Sequence, residues 1–289
     1  MTDHWPRAIP HYRKSCALLS ESNVTTAVVF VHGFNGNPSG TFSDFQGLIH
    51  LHPPTLKWWA GTDLYFFSYR SVTDNITTSS ERFREFLTWV FPSPPRELFL
   101  LEQEQYPWLD LRVRQIGQWP RNYEKLVLVG HSEGAVVIRR TICDIARTYT
   151  DAQLTTTPNP IFSASLRLFA PATSGAKPKG LWSLLLNLPG LGLPGRAFLE
   201  WSRAASDLTN QSSTSLLADL KDEVHKYEEK YKNLRAFRAK TVFGTKESVV
   251  IVNKWRCDDN EVSLKGHSHT SICKPQKKTS YFYPLDFVT

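Results

Sequence analysis

The chain has few of the features that mark a disulfide-built, metal-binding or membrane protein. Only four of its 289 residues are cysteine: Cys16, Cys143, Cys257 and Cys273. They are far apart and none stands in C-x-x-C spacing, so neither a zinc site nor a thioredoxin-like pair is supported. Reduced thiols are the expected state. No segment reaches the roughly 18 consecutive apolar residues that suggest a membrane-spanning helix. The opening "MTDHWPRAIPHYRKSC" has no apolar h-region, so no secretory signal is expected and the cytoplasm is the expected compartment. Internal repeats and low-complexity linkers are lacking as well. The net charge of +7 is spread thinly, and its densest run, "KPQKK" (274–278), has no interleaved aromatics. Such a run reads as a solvated face, and no nucleic-acid partner is expected.

What remains is an ordinary globular composition, 41% hydrophobic and 21% charged. The length suits one large α/β domain spanning 1–289. "TTAVVFVHG" (25–33) and "KLVLVG" (125–130) are β-branched and apolar almost throughout, the pattern of strands buried on both faces. "TDLYFFSYR" (62–70), "SLRLFAP" (165–171) and "AKTVFG" (239–244) read as further strands. Helices are expected over 79–91, with Phe83, Phe86, Leu87 and Val90 at helical spacing, and over 134–148, with Val137, Ile138, Ile142 and Ile145 on one face. A longer amphipathic helix is expected over 215–234. Alternating strands and helices predict a mostly parallel central sheet with helices on both faces. In such sheets the chemistry sits just past the carboxyl ends of the strands.

Two strand ends carry distinctive sequences. After the first comes "HGFNGNPSGTF" (32–42), whose glycines permit a tight turn and a close backbone approach to a ligand. After "KLVLV" comes Gly-His-Ser-Glu-Gly, 130–134. G-x-S-x-G between a buried strand and an apolar-faced helix is the nucleophile-elbow pattern. Small neighbours let the backbone turn sharply and lift the Ser132 hydroxyl out of the sheet, beside the N–H groups of the next helix. A serine hydroxyl needs a base, and the base a carboxylate to fix its tautomer. The late histidines are His267 and His269 in "LKGHSHTSICKP" (264–275). Glu247 follows the strand 239–244, with Asp258 and Asp259 as competing acids. Serine, acid and histidine thus come in the chain order of the α/β-hydrolases.

These segments resemble an α/β-hydrolase of the lipase/esterase kind. They are most similar to the branch of GPI inositol-deacylase-like and serine-active-site-containing proteins. "VFVHGFNGNPSGTF" resembles that branch's oxyanion loop, "LVLVGHSEGA" its elbow, "FGTKESVV" its acid segment and "HTSICKP" its histidine segment. The register of the last, with the base three residues before the isoleucine, selects His269 over His267. The resemblance covers about 24–275. It implies Ser132 as nucleophile, His269 as general base, Glu247 as its orienter (where aspartate is more usual), and the N–H groups of Phe34 and Glu133 as the oxyanion hole. It requires no metal and no cofactor. The Glu133 side chain is expected to turn inward toward Arg139 or Arg140, because a carboxylate beside a developing oxyanion would be unfavourable.

Substrate choice is expected to reside in 176–210, the place of a lid or cap in this fold. Its core, 180–195, is free of charge and broken by two Pro-Gly pairs. Trp182 and Leu185 in this segment, with Trp58 and Trp59 in "LHPPTLKWWAG" (51–61), are the expected pocket residues. Peripheral membrane contact through the lid, flanked by Lys177, Lys179 and Arg196, is a possible accessory role. The expected reaction is hydrolysis of a small-molecule or lipid-like ester. A thioesterase, amidase or acyltransferase on the same residues is the alternative, as is an inactive fold used as a binding module. The oligomeric state is not legible.

Overall fold

The computed structural model describes residues 4–9, 15–20, 23–42, 61–99, 120–156, 158–185, 202–210, 212–259 and 262–274. At its centre is the strand β3 (Thr26–Val31), in which Ala27 to Val31 are all buried. Its neighbours β4 (Thr62–Phe67) and β5 (Lys125–His131) run parallel to it, and β6 (Ser165–Phe169), β7 (Ala239–Lys246) and β8 (Val262–Ser268) continue the parallel array. Beyond β4 lie two antiparallel strands, β2 (Cys16–Ser20) and β1 (His4–Ala8), giving the order β1-β2-β4-β3-β5-β6-β7-β8.

The outer strands are those the residue pattern hides. Pro6 lies within β1 and lacks the N–H of a ladder donor, which restricts it to an edge, and β1 is that edge. At the other edge, β8 reads VSLKGHS and is largely exposed, so it carries no apolar run to announce it.

Both faces of the sheet are covered. Successive strand residues point to opposite faces. Phe66 stacks on Phe30 (4.8 Å between centroids), and Phe42 closes over Phe30 on that face (5.1 Å). Tyr65 and Phe67, on the opposite face, meet Phe86 of helix α2 (Ile76–Val90), and Phe67 also meets Phe83. The expected apolar stripe of α2 is buried. Its start, however, lies one turn earlier than Ser79, because Asn75 caps it by accepting from the Thr78 N–H (2.8 Å). Ser79 and Ser80 instead face helix α3 (Glu133–Ala146), where Thr141 Oγ1 donates to the Ser80 carbonyl (2.9 Å). Helix α7 (Leu216–Lys230) buries Leu217, Leu220 and Val224 and is tied to the end of α3 by Arg147 and Glu223 (2.5 Å). The short helices α1 (Pro38–Thr41), α4 (Asp151–Thr156), α5 (Pro178–Leu185) and α6 (Arg203–Thr209) complete the described elements.

Of the expected lid, 176–185 and 202–210 are described and 186–201 lie outside the described residues. Both described ends are packed down. Ala176 bridges Val250, the Lys177 N–H donates to the Val249 carbonyl (2.7 Å), and a Cβ on Gly180 would come within 2.5 Å of Val249 Cα. In α6, Ala204, Ala205 and Leu208 are fully buried. Among the described residues no helix is long and apolar enough to cross a membrane.

Candidate active site

The turn between β5 and α3 is strained in the way the sequence demands. Ser132 has φ 54° and ψ −120°, a conformation L-residues seldom adopt. Three hydrogen bonds hold it there: its N–H donates to the Phe169 carbonyl (3.1 Å), and its carbonyl accepts from the N–H groups of Ala135 (3.2 Å) and Ala172 (3.1 Å). The turn also needs missing side chains. A Cβ on Gly134 would stand 2.3 Å from the Val31 carbonyl oxygen, one on Gly130 would meet Ala135 Cα at 2.8 Å, and one on Gly33 would meet Ser132 Cβ at 2.6 Å. The elbow and the turn after β3 are therefore pressed together, with Gly33 at the contact.

That turn, 33–36, is closed by the Gly36 N–H donating to the Gly33 carbonyl (2.9 Å), with Asn35 at φ 55°. Buried His32 fixes its base. Its Nδ1–H donates to the Gly33 carbonyl (2.9 Å), and its Nε2 accepts from the Tyr69 N–H (3.3 Å) while its ring stacks on Tyr69 at 4.4 Å. Burial lowers the His32 pKa to about 4, so it is neutral, which the Nε2 acceptor role requires. Phe34 follows Gly33 in this turn and lines the cavity beside His269. Glu133, as the first residue of α3, has an N–H without an intrahelical acceptor. Neither the Phe34 N–H nor the Glu133 N–H is donated to a protein acceptor among the described residues.

His269 follows β8, and Glu247 follows β7. His269 Nδ1 lies 3.0 and 3.1 Å from the two Glu247 carboxylate oxygens. Both side chains are buried, and Glu247 Oε1 also accepts from the N–H groups of Val249 (2.8 Å) and Val250 (3.0 Å). Burial alone would raise the Glu247 pKa. The bonds and charge of His269, with those two N–H groups, outweigh burial and hold it below the ordinary value. A longer acid than aspartate thus fits because the chain after β7 turns to clamp it. With Nδ1–H donating, the neutral imidazole presents its lone pair on Nε2. His269 Nε2 and Ser132 Oγ are both buried, and neither has a hydrogen-bond partner.

The competing residues are engaged elsewhere. Asp258 forms a buried pair with Arg139 (2.5 Å) and accepts from the Ala239 N–H (3.1 Å). His267 Nδ1 lies 3.3 Å from the Ser271 carbonyl rather than at Glu247. The Glu133 side chain turns inward as expected, but not to an arginine. Arg139 is taken by Asp258 and stacks over Trp255, Arg140 by Asp144, and both Glu133 carboxyl oxygens are buried without a partner. Burial, and then the nearby charges of Asp207 and Asp74, raise its pKa well above the ordinary carboxylate value. Burial thus favours the protonated form of a side chain that no arginine reaches.

A cavity of about 510 Å³ opens beside His269, bounded by Phe34 and His131 and by Leu184 of α5. Trp58 and Trp59 lie outside the described residues, as do the side chains of Trp182 and Leu185. Leu184, which the sequence pattern did not single out, is the residue of α5 at the cavity, and its carbonyl accepts from Asn35 Nδ2 (3.1 Å). His131 was also missed. Its Nε2–H donates to the His269 carbonyl (2.8 Å), and burial, then the charge of His269, lowers its pKa to about 3. As the variable second letter of G-x-S-x-G it gave no signal. Among the described residues no cluster of three or more His, Cys, Asp or Glu side chains could hold a metal ion.

Solved structures with a similar fold include the mature lipase BlEst2 of Bacillus licheniformis (12% identity, 88% of each chain, TM-score 0.44). Esterase B of Lactobacillus rhamnosis, inhibited by a tributyrin phosphonate, shares 11% identity over 93% of this chain and 78% of its own, with a TM-score of 0.46. Phospholipase PlaB of Legionella pneumophila shares 14% identity over 77% of this chain, which spans only 40% of the phospholipase, with a TM-score of 0.41. No curated protein sequence matches the chain. The match that decides its membership is to a family model running from residue 28 in β3 to Ile272 just past His269, and by it the chain belongs to the alpha/beta hydrolase family.

Proposed function

We propose that this hydrolase cleaves a carboxylic ester through an acyl-enzyme on Ser132. The observation that supports this reading is the pairing of His269 Nδ1 with the buried Glu247 carboxylate, which leaves Nε2 without a partner, as the Ser132 hydroxyl is also buried without one. Ser132 Oγ attacks the ester carbonyl and gives its proton to His269 Nε2. The Phe34 and Glu133 N–H groups stabilise the resulting oxyanion. His269 then protonates the departing alkoxide, and a water activated by the same nitrogen releases the acid.

The segment 176–210 is, on this reading, the lid over the acyl pocket. Its described end is fastened both to the acid loop, through Lys177 and Val249, and to the oxyanion turn, through Leu184 and Asn35. The working assignment within the family is the GPI inositol-deacylase-like branch, on the histidine segment whose register selected His269.

A fluorophosphonate probe should label the wild type and not Ser132→Ala. Equal labelling of both would overturn the assignment. His269→Ala should abolish turnover and His267→Ala should not. A panel of esters, thioesters and amides separates ester hydrolysis from the other acyl transfers, which share the acyl-enzyme.

A further inference from the structure

The cavity beside His269 is not lined by apolar side chains alone. Beside Phe34, Leu184, Cys273 and two glycines, its described lining holds Asn35, Asn37, Thr41, Thr270 and Lys274 with the two histidines. No aspartate or glutamate is among its described lining residues. Asn37 spends its Oδ1 on the Gly40 N–H (2.8 Å), which leaves its amide N–H groups as the unspent part of that side chain.

Lys274 is the charged residue of this wall. Unlike Arg82, Arg121, Arg139, Arg147 and Arg238, it pairs with no carboxylate among the described residues. Its place is fixed by its neighbours. Ile272 and Cys273 are buried, Cys273 Sγ–H donates to the Thr41 carbonyl (3.2 Å), and the Lys274 N–H donates to the Ser271 carbonyl (3.2 Å). The turn that supplies His269 thus also delivers a lysine to the rim of the same cavity, five residues on. A cavity whose described lining holds one lysine and no carboxylate favours a ligand with a negative charge.

We infer that the ester this site hydrolyses carries an anionic group, a carboxylate or phosphate, in the part that fills this cavity, and that Lys274 is the residue that selects for it. The inference rests on the proposed ester hydrolysis and adds the substrate class.

The test compares charged and neutral members of matched pairs. p-Nitrophenyl hydrogen glutarate against p-nitrophenyl pentanoate puts the charge on the acyl side. The butyryl ester of 4-hydroxybenzoate against that of 4-hydroxybenzamide puts it on the alcohol side. In at least one pair, kcat/KM should favour the anion about ten- to hundred-fold, mainly through KM, the worth of one charge-assisted hydrogen bond. Lys274→Ala should remove the preference, Lys274→Glu reverse it and Lys274→Arg retain it. Lys226→Ala, on the exposed face of α7, should leave it as it was. Micelles of phosphatidic acid against phosphatidylcholine distinguish a lipid phosphate from a soluble anion as the source. No preference in either pair, or a preference that survives Lys274→Ala, overturns the inference. Calorimetric binding of the same pairs to Ser132→Ala reads selection without turnover. An active enzyme without selection sinks this inference alone, and selection without turnover sinks only the proposed hydrolysis.

Discussion

Two buried polar clusters flank the central strands, and they are built to opposite rules. Near the antiparallel edge, Asp63 of β4 is fully engaged. It accepts from the Ser20 N–H (2.7 Å), the Tyr123 hydroxyl (2.6 Å) and Arg121 (3.1 Å), and Arg121 reaches on to the Ser20 carbonyl (2.5 Å). At the carboxyl end of β5, by contrast, Ser132 Oγ, His269 Nε2, His131 Nδ1 and both Glu133 oxygens are buried with nothing to bond. A buried polar atom without a partner costs on the order of 1–3 kcal/mol. Orphan atoms occur elsewhere too, Arg121 Nε among them, and what sets the second cluster apart is that its orphans include Ser132 Oγ and His269 Nε2, the two atoms the proposed reaction uses. The first cluster fixes how β2, β4 and the segment before β5 fit together, whereas the second keeps its bonding capacity for something that arrives.

This contrast can be broken by mutation, and the largest effect belongs to the second cluster. Ser132→Ala should lower turnover by on the order of 10⁶-fold, read by steady-state kinetics, with the far-UV circular dichroism spectrum unchanged. Arg121→Ala should instead cost about 3–5 kcal/mol of stability, measured by urea unfolding, because it strands the buried Asp63 carboxylate. A fall in activity at unchanged stability would mean that the edge cluster serves the site after all.

Acid should reveal the buried histidines. His32 has a folded pKa near 4 against an ordinary 6.5, so the folded state binds fewer protons than the unfolded chain between those values. Its stability contribution is present above pH 6.5 and is lost as pH falls through about 4, a loss on the order of 3 kcal/mol. Urea midpoints at pH 7 and 4.5 measure it, and His32→Gln should flatten the slope.

Glu133 works in the other direction. Its folded pKa is raised, so its contribution is full below the unfolded value near 4.5 and is lost as pH rises through the folded value. Glu133→Gln, neutral at every pH, should therefore stabilise the fold at pH 8 more than at pH 5. The smallest effect is expected from Ser132→Gly. Relieving φ 54° should raise stability by about 1 kcal/mol while the variant stays inactive, which calorimetry would show. A destabilised Ser132→Gly would mean that the elbow is not strained.

Much of this was legible in the residues. The runs at 26–31 and 125–131 announce themselves because strands buried on both faces must be apolar at every position. The edge strands β1 and β8 do not, since an edge strand tolerates residues such as Pro6 and Lys265. In the site, the glycines around Ser132 carry a steric signature, so the elbow is readable locally. Choosing Glu247 over Asp258 is not, because both acids follow β7 closely. The choice is made by the turn at 247–250, whose N–H groups clamp one carboxylate, and by Arg139, which claims the other from a different helix.

The sequence alone determined the alternation of elements, the strained serine between a buried strand and a helix, and the chain order of serine, acid and histidine. Each is a local matter of backbone sterics and side-chain period. Tertiary structure alone decided that the Glu247 carboxylate meets His269 while Arg139 takes Asp258, that His131 donates to the His269 carbonyl, that the Glu133 side chain is buried without an arginine partner, and that Lys274 stands at the cavity. Those outcomes depend on desolvation and on contacts between residues more than 20 positions apart, which no short stretch of sequence encodes.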